Sequence, residues 1–278
     1  MTERSEESMG ISKSRPSMGV LGLYGAGGKF RLDRYPATGP ISPFIKHYWI
    51  VEWNLEGEQP HLQDVVPNPC ANLVVEKGKT CFYGPAKERY TQRLEGRGVV
   101  FGAKFRPGGL YPYIKREMSE CIVKPIDVVA VLGIQGSELE ERVLAQSNDA
   151  GMVKVLDDCF AAKVPRYDEN ITLVNQIIDH MEGNREITKV EQLGQCFDIS
   201  LRQLQRLFSK YVGVNPKSVI RLFRLQNAAE AMDLGQVTDL ARLSVELGYH
   251  DQAHFSKDFK TVIGKTPERY LLEQTLRL

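Results

Sequence analysis

The sequence predicts an α+β protein with a β-rich domain at the front of the chain, a helical connector and an all-helical domain behind it. Three observations support this. Up to about Gly133, apolar residues alternate in short runs between turn residues, which is typical of strands. Beyond a polar linker, apolar residues recur every three or four positions, which is typical of helices. Finally, part of the helical region returns 51 residues later, and a fixed period indicates one structural unit used twice.

Composition gives few hints of function. The 278 residues include 36 basic and 35 acidic side chains, so any attraction to nucleic acid must be local. Five scattered cysteines without a Cys-x-x-Cys pair predict reduced thiols, no metal site and no cofactor in a cytoplasmic protein. No apolar run approaches the roughly 20 residues that cross a bilayer, so we expect no membrane partner.

Domain boundaries follow from changes in pattern. Residues 1–16 are polar and lack a signal-peptide core, so we expect a disordered tail. We then predict a β-rich domain over 17–133, a helical connector and linker over 134–165, and a helical domain over 166–278. Near the start, "GLYGAGGKF" has five residues between Gly22 and Gly28 where a phosphate-binding loop has four, and Phe30 replaces the required hydroxyl. A flexible turn is therefore favoured.

The front domain offers several candidate ligands that also have simpler interpretations. "FIKHYWIVEWNL" alternates as a strand with Ile45, His47, Trp49, Val51 and Trp53 on one face. His47 and His61 could bind a ligand, but an isolated histidine on an apolar strand more often belongs to the core. Trp49 and Trp53 could line a pocket, and burial in the core is again favoured. Arg106, before Pro-Gly-Gly, could hold an anion, but a role in stabilising the turn is favoured.

The first repeat carries a polar stripe on a helix. A helix over about Val190–Cys196 is followed by a turn and by a second helix capped by Ser200. The apolar face of that second helix consists of Leu204, Leu207, Phe208 and Tyr211. The opposite stripe consists of Arg202, Gln205, Arg206 and Ser209. This pattern is typical of a helix-turn-helix, whose second helix enters the major groove, where Arg and Gln can bond guanine and adenine.

Local charge supports this interpretation. Six basic residues and no acidic one lie between Ile199 and Ala229, among them Lys210. Such a block suits contacts with phosphates, although a solvated helix face explains most charge runs.

The second repeat and the helix between the copies predict two helices that enter DNA grooves, which we call the first and second reading helices. Asp251 caps the second reading helix. Its candidate DNA-binding residues are Gln252, His254, Ser256, Lys257 and Lys260. Pro216–Leu234 forms a helix of about 28 Å at 1.5 Å per residue. Successive major grooves on one face of DNA lie roughly 34 Å apart, so one rigid helix could hold the two reading helices in adjacent grooves.

At this point the sequence resembles the AraC/XylS family of transcription regulators, over Asp168 to about Glu273. "LGYHDQAHFSKDFKTVIGKTPERY" matches the family signature at Gly248, Tyr249, Asp251, Phe255, Phe259, Gly264, Pro267 and Tyr270. The resemblance implies a DNA-binding regulator that reads double-stranded DNA with Arg202, Gln205 and Arg206, and with Gln252, Ala253, His254, Ser256 and Lys257. Leu271 replaces the usual arginine. Candidate partners besides DNA are RNA polymerase, a small-molecule effector and a second copy of the chain.

The front domain resembles a module of some uncharacterised members of the same family, over about Pro36 to Gly133. The resemblance rests on "HYWIVEW", "PNPCANLVVE", "FYGP" and "GAKFRPGG" and implies a domain that senses a signal or mediates pairing. Two alternatives stay open. One is a purely structural dimerisation module. The other is a DNA-repair enzyme with a metal-bound cysteine that accepts a methyl group, for which Cys70 lacks companion cysteines. We therefore expect no enzyme activity.

Overall fold

The computed structural model describes residues 30–275, apart from Lys87, Val123, Tyr167 and Thr238. The predicted disordered tail and nearly all of the glycine-rich turn lie outside these residues. Within them, antiparallel strands precede helices, which confirms the α+β class. The strands are β1 (Phe30–Pro36), β2 (Ile45–Leu55), β3 (His61–Val65), β4 (Asn72–Val75), β5 (Cys81–Tyr83), β6 (Tyr90–Leu94) and β7 (Gly96–Phe105).

Five of these strands form one sheet in the order β1-β2-β7-β4-β5, and β3 pairs with β6 in a separate ribbon. The core face of the sheet carries Tyr48, Ile50 and Phe101, all with no exposed surface. A β-bulge between Ile45 and His47 shifts the alternation, so Ile45 joins this core face although the pattern placed it with Trp49.

The two tryptophans therefore do not fill the core, and that expectation is wrong. Trp49 and Trp53 are half-buried on the opposite face of the sheet. Their rings cover glycines of β7. A Cβ atom on Gly102 would lie 2.4 Å from the Trp49 ring, and one on Gly98 would lie 2.2 Å from the Trp53 ring. Only glycine leaves room for the indoles at these two positions.

Helices begin soon after β7. The first four are α1 (Tyr111–Ile114), α2 (Val128–Leu132), α3 (Gly136–Leu144) and α4 (Asp149–Ala161). The sequence placed the start of the helical zone at about Ser137, because helices of four or five residues are too short to show a period. α4 covers the core face of the sheet: the ring of Phe160 packs edge-on against Phe105, and the Tyr48 hydroxyl donates to Asp157.

The rest of the described chain is helical. Its helices are α5 (Glu169–Gly183), α6 (Val190–Cys196), α7 (Leu201–Leu207), α8 (Pro216–Asp233), α9 (Leu240–Glu246), α10 (Gln252–Ile263) and α11 (Pro267–Thr275). Asp168 caps α5, since its carboxylate accepts the amide N–H of Asn170. α7 continues as a π-helical turn over Phe208–Val212, which ends at Gly213. None of the described helices is both long and apolar enough to span a bilayer.

The core does not divide where the secondary structure changes. One continuous cluster joins the sheet to the first repeat, from Ile41 through to Phe223. The second repeat has a smaller cluster around Phe255 and Phe259, which also takes in Val66 from the loop after β3. The front domain therefore packs against both repeats.

Candidate nucleic-acid interface

The two repeats share the same local geometry at both ends of their reading helices. The Ser200 hydroxyl accepts the Gln203 amide at 3.2 Å, and the Asp251 carboxylate accepts the His254 amide at 2.7 Å, which confirms both predicted caps. The helical segments end at Gly213 and Gly264, whose φ angles of 79° and 95° lie in the left-handed region. Pro216 and Pro267 then open the next helices. The sequence repeat is thus a structural repeat.

The first reading helix has one buried and one exposed face. Leu204 and Phe208 have no exposed surface, and Leu207 is half-buried beside them. On the opposite side, Gln205 and Arg206 are exposed, as is Arg202 at the helix start. Within the described chain, the side chains of these three residues make no hydrogen bond or ion pair, so their donors are free to contact a groove.

Further along the same helix, Ser209 and Lys210 are half-buried and contact the front domain. The Ser209 hydroxyl lies 3.4 Å from the Glu117 carboxylate and 3.3 Å from the Ser119 hydroxyl. The Lys210 ammonium sits 5.0 Å from the centre of the Tyr111 ring, within the range of a cation–π interaction. The sequence offered no signal for these contacts, because their partners lie about ninety residues earlier.

Aromatic packing strengthens this contact. The Tyr111 and Tyr211 ring centres lie 4.6 Å apart, and the Tyr211 hydroxyl donates to Asp168 at 2.7 Å. At Gly213 the approach is closer still, since a Cβ atom there would lie 2.6 Å from the carbonyl oxygen of Met118. We call this set, from Tyr111 to Ser119 against Ser209 to Gly213, the interdomain contact.

In the second reading helix, α10, some candidate side chains already contact neighbouring residues. Its residues Ala253, His254, Lys257 and Lys260 are exposed, and Gln252 and Ser256 are half-buried. The Gln252 amide donates to Glu268 at 3.3 Å, and His254 lies 3.8 Å from Asp258. DNA would have to displace these contacts. Ala253 also has no hydrogen-bonding side chain, which favours the first helix as the stronger reader.

The six basic residues between Ile199 and Ala229 do not form one exposed surface. Lys217 is exposed, but Arg221 lies 3.5 Å from Asp258. Arg224 is half-buried with its guanidinium 4.4 Å from the centre of the Tyr249 ring, and burial lowers its pKa. Arg224 therefore packs between the repeats. Sequence reasoning missed this role, because Tyr249 belongs to the other repeat and no local pattern joins the two residues.

A cleft of about 390 Å³ lies between the front domain and the repeats. Pro67 and Glu88 line it from the front domain, and Gln205, Ser209 and Arg221 line it from the helices. Candidate DNA-binding residues thus share a cleft with the front domain.

The candidate ligand-binding residues of the front domain are held by contacts within the protein. The Arg106 guanidinium donates to the Ser42 carbonyl at 2.8 Å, so it joins the end of β7 to the loop before β2 rather than its own Pro-Gly-Gly turn. His61 packs its ring against Phe30, and His47 is buried. Burial raises the pKa of the Cys70 thiol, which keeps it protonated, whereas a methyl acceptor must be a thiolate. Within the described residues no group of three or more His, Cys, Asp and Glu side chains is placed to hold a metal ion.

Comparison with known proteins agrees with this geometry. A helix-turn-helix domain model matches residues 193–273, and a model of a domain of unknown function (DUF6597) matches residues 33–127. The HTH-type transcriptional activator AarP of Providencia stuartii is 30% identical over 107 residues, which cover 37% of this chain and 77% of that protein. The chain belongs to the AraC/XylS family. The helix-turn-helix model covers most of the helical repeats, and the model of unknown function covers most of the front domain.

Other relatives share less of their length with this AraC/XylS member. An uncharacterised HTH-type transcriptional regulator of Haemophilus influenzae is 29% identical over 45% of this chain, and the F1 operon positive regulatory protein of Yersinia pestis is 34% identical over 35%. The chain spans 48% and 33% of those two proteins. The crystal structure of ToxT from Vibrio cholerae aligns over 90% of this chain and 99% of that one, at 12% identity and a TM-score of 0.36.

Proposed function

We propose that the protein is a sequence-specific DNA-binding transcription regulator that places one helix of each repeat in a major groove. The observation that carries this proposal is that one helix packs an apolar face, with Leu204 and Phe208 fully buried, and exposes Arg202, Gln205 and Arg206 on the other side. Arginine and glutamine side chains match the edges of guanine and adenine. Membership of the AraC/XylS family supports the same interpretation.

The proposal includes two adjacent grooves on one face of the duplex. α8, which joins the repeats, has 18 residues. At 1.5 Å per residue it is about 27 Å long, which is close to the roughly 34 Å between successive grooves. Ser256, Lys257 and Lys260 would then contact the second groove and its phosphates, together with Gln252 and His254.

The front domain would control this activity without chemistry. The interdomain contact engages Ser209 and Lys210, two candidate DNA-binding residues, so any change in the front domain that loosens it releases them for DNA. The signal would be a small ligand or pairing with a second copy of the chain. A purely structural dimerisation module is the alternative, and it predicts no ligand-dependent change in DNA affinity.

Selection of bound duplexes from a random pool, followed by affinity measurements, tests the DNA-binding proposal. Arg206→Ala should cost about 1–3 kcal/mol on the selected site and relax the preference at one base pair. Arg142→Ala removes an exposed charge from α3 in the helical connector and should change neither quantity. Equal losses for Arg206→Ala on matched and altered sites would show that Arg206 contacts only phosphate, and an unselective pool would overturn the proposal.

A further inference from the structure

Basic side chains converge at one end of the outer face of the five-stranded sheet. His47 of β2 lies opposite Lys104 of β7, and Arg34 of β1 lies opposite Trp49 in the next row. Burial, together with the positive charges of Lys104, Arg34 and Lys46, lowers the pKa of His47 to about 3. A neutral histidine is therefore surrounded by three cations.

These cations lack anionic partners. Lys104 is only 8% exposed, and among the residues that the structure describes its ammonium makes no hydrogen bond and no ion pair. Arg34 and Lys46, both half-buried, likewise have no ion pair within the described chain. The carboxylate of Glu182 in α5 acts on Lys104 only through the longer-range electrostatic field. A buried charge without a partner is costly, and titratable groups perturbed by burial cluster at functional sites.

The rows next to the cations are apolar. Trp49, Val51 and Trp53 follow each other on this face and are all half-buried. The indoles lie directly over Gly102 and Gly98 of β7, and Val100 lies between these glycines, opposite Val51. The face therefore offers an apolar strip that ends at a cluster of basic side chains around Lys104, whose own pKa is lowered by burial.

We propose that this face binds a small organic anion, with a carboxylate at Lys104 and an apolar or aromatic body along Trp49, Val51 and Trp53. Opposite charge at one end and apolar surface along the rest select this chemistry. This assignment names the ligand class for the proposed function. The role of the ligand as the controlling signal rests on that proposed function. The site also lies close to the helical repeats, because Asn175 of α5 donates to the carbonyl of Pro107, three residues beyond Lys104.

Tryptophan fluorescence of the full chain tests the site directly, since the sequence holds two tryptophans and both lie on this face. Octanoate and 3-phenylpropionate are the anionic probes, and octanamide and 3-phenylpropionamide are their neutral counterparts. At least one carboxylate should change the emission with saturation, and its amide should bind about tenfold more weakly, as loss of one charge-assisted hydrogen bond implies. Lys104→Met should abolish this difference. Lys154→Met, which removes an exposed lysine of α4, should preserve it.

A second readout separates a binding role from a structural one. If Lys104 is kept for a ligand, Lys104→Met should raise the melting temperature of the ligand-free protein, because a buried unpaired charge is removed. A fall in the melting temperature would assign Lys104 a structural role and overturn the proposal. So would the absence of a saturable signal for both carboxylates, or equal binding of acid and amide. These measurements contain no DNA, so their failure leaves the DNA-binding proposal standing.

Discussion

Truncation of Tyr111 should tighten DNA binding, because this side chain holds the end of the first reading helix. The Lys210 ammonium lies 5.0 Å above the Tyr111 ring, a contact worth about 0.5–1 kcal/mol at an exposed site. The pairing of the Tyr111 and Tyr211 rings, with centres 4.6 Å apart, adds about 0.5–1.5 kcal/mol. Tyr111→Ala should therefore weaken the interdomain contact by about 1–2 kcal/mol.

The effect on DNA affinity depends on the fraction of molecules in which the interdomain contact is broken. If DNA binds only after Lys210 leaves Tyr111, then 1–2 kcal/mol corresponds to a gain of about five- to thirtyfold, the upper limit being reached when the closed form dominates. Fluorescence anisotropy of a labelled duplex carrying the selected site measures this gain. Tyr83→Ala, at an exposed tyrosine of β5, is the matched control and should leave affinity unchanged. Unaltered or weaker binding by Tyr111→Ala would refute the idea that the contact opposes DNA binding.

Three further variants test other parts of the molecule. Lys210→Ala should weaken binding to all sequences alike and reduce the salt dependence by about one ion, measured by affinity titrations over a range of salt; a loss confined to one sequence would contradict a phosphate contact. Gly213→Ala should lower the melting temperature by more than Gly78→Ala. Both residues have a positive φ angle, so alanine costs about 1–2 kcal/mol of backbone strain at either position. Only at Gly213 would the added Cβ atom also meet a backbone carbonyl. Asp251→Ala should lower the melting temperature at neutral pH. The hydrogen bond from the His254 amide depresses the pKa of the Asp251 carboxyl, so wild-type melts should lose this advantage as pH falls below its ordinary value of 3.8.

The parts of the fold that the sequence predicted correctly depend on local signals. Ser200 and Asp251 cap helices because their side chains reach an amide three residues on, and that geometry needs no tertiary context. Glycine in the left-handed region, followed by proline three residues later, marks each helix end in the same local way. The repeat, its caps and its buried stripes could therefore be predicted from the sequence alone.

The parts that the sequence did not predict depend on contacts between distant residues or on register. The bulge after Ile45 places Ile45 on the face opposite Trp49, and nothing in the alternation of apolar residues reveals it. The contact between Ser209 and Glu117 joins residues 92 positions apart. Arg224 packs on Tyr249 of the other repeat, so counting charges overestimates the surface available for phosphate.

Hydroxyl-radical footprinting of the full chain on its selected duplex tests the central claim, that one chain reads two adjacent major grooves. We expect two protected patches on one face of the DNA, centred about 10 base pairs apart, which is one helical turn. Arg206→Ala should weaken protection in one patch more than in the other. A single protected patch, or two patches on opposite faces of the duplex, would contradict the claim that the repeat exists to place two reading helices in successive grooves.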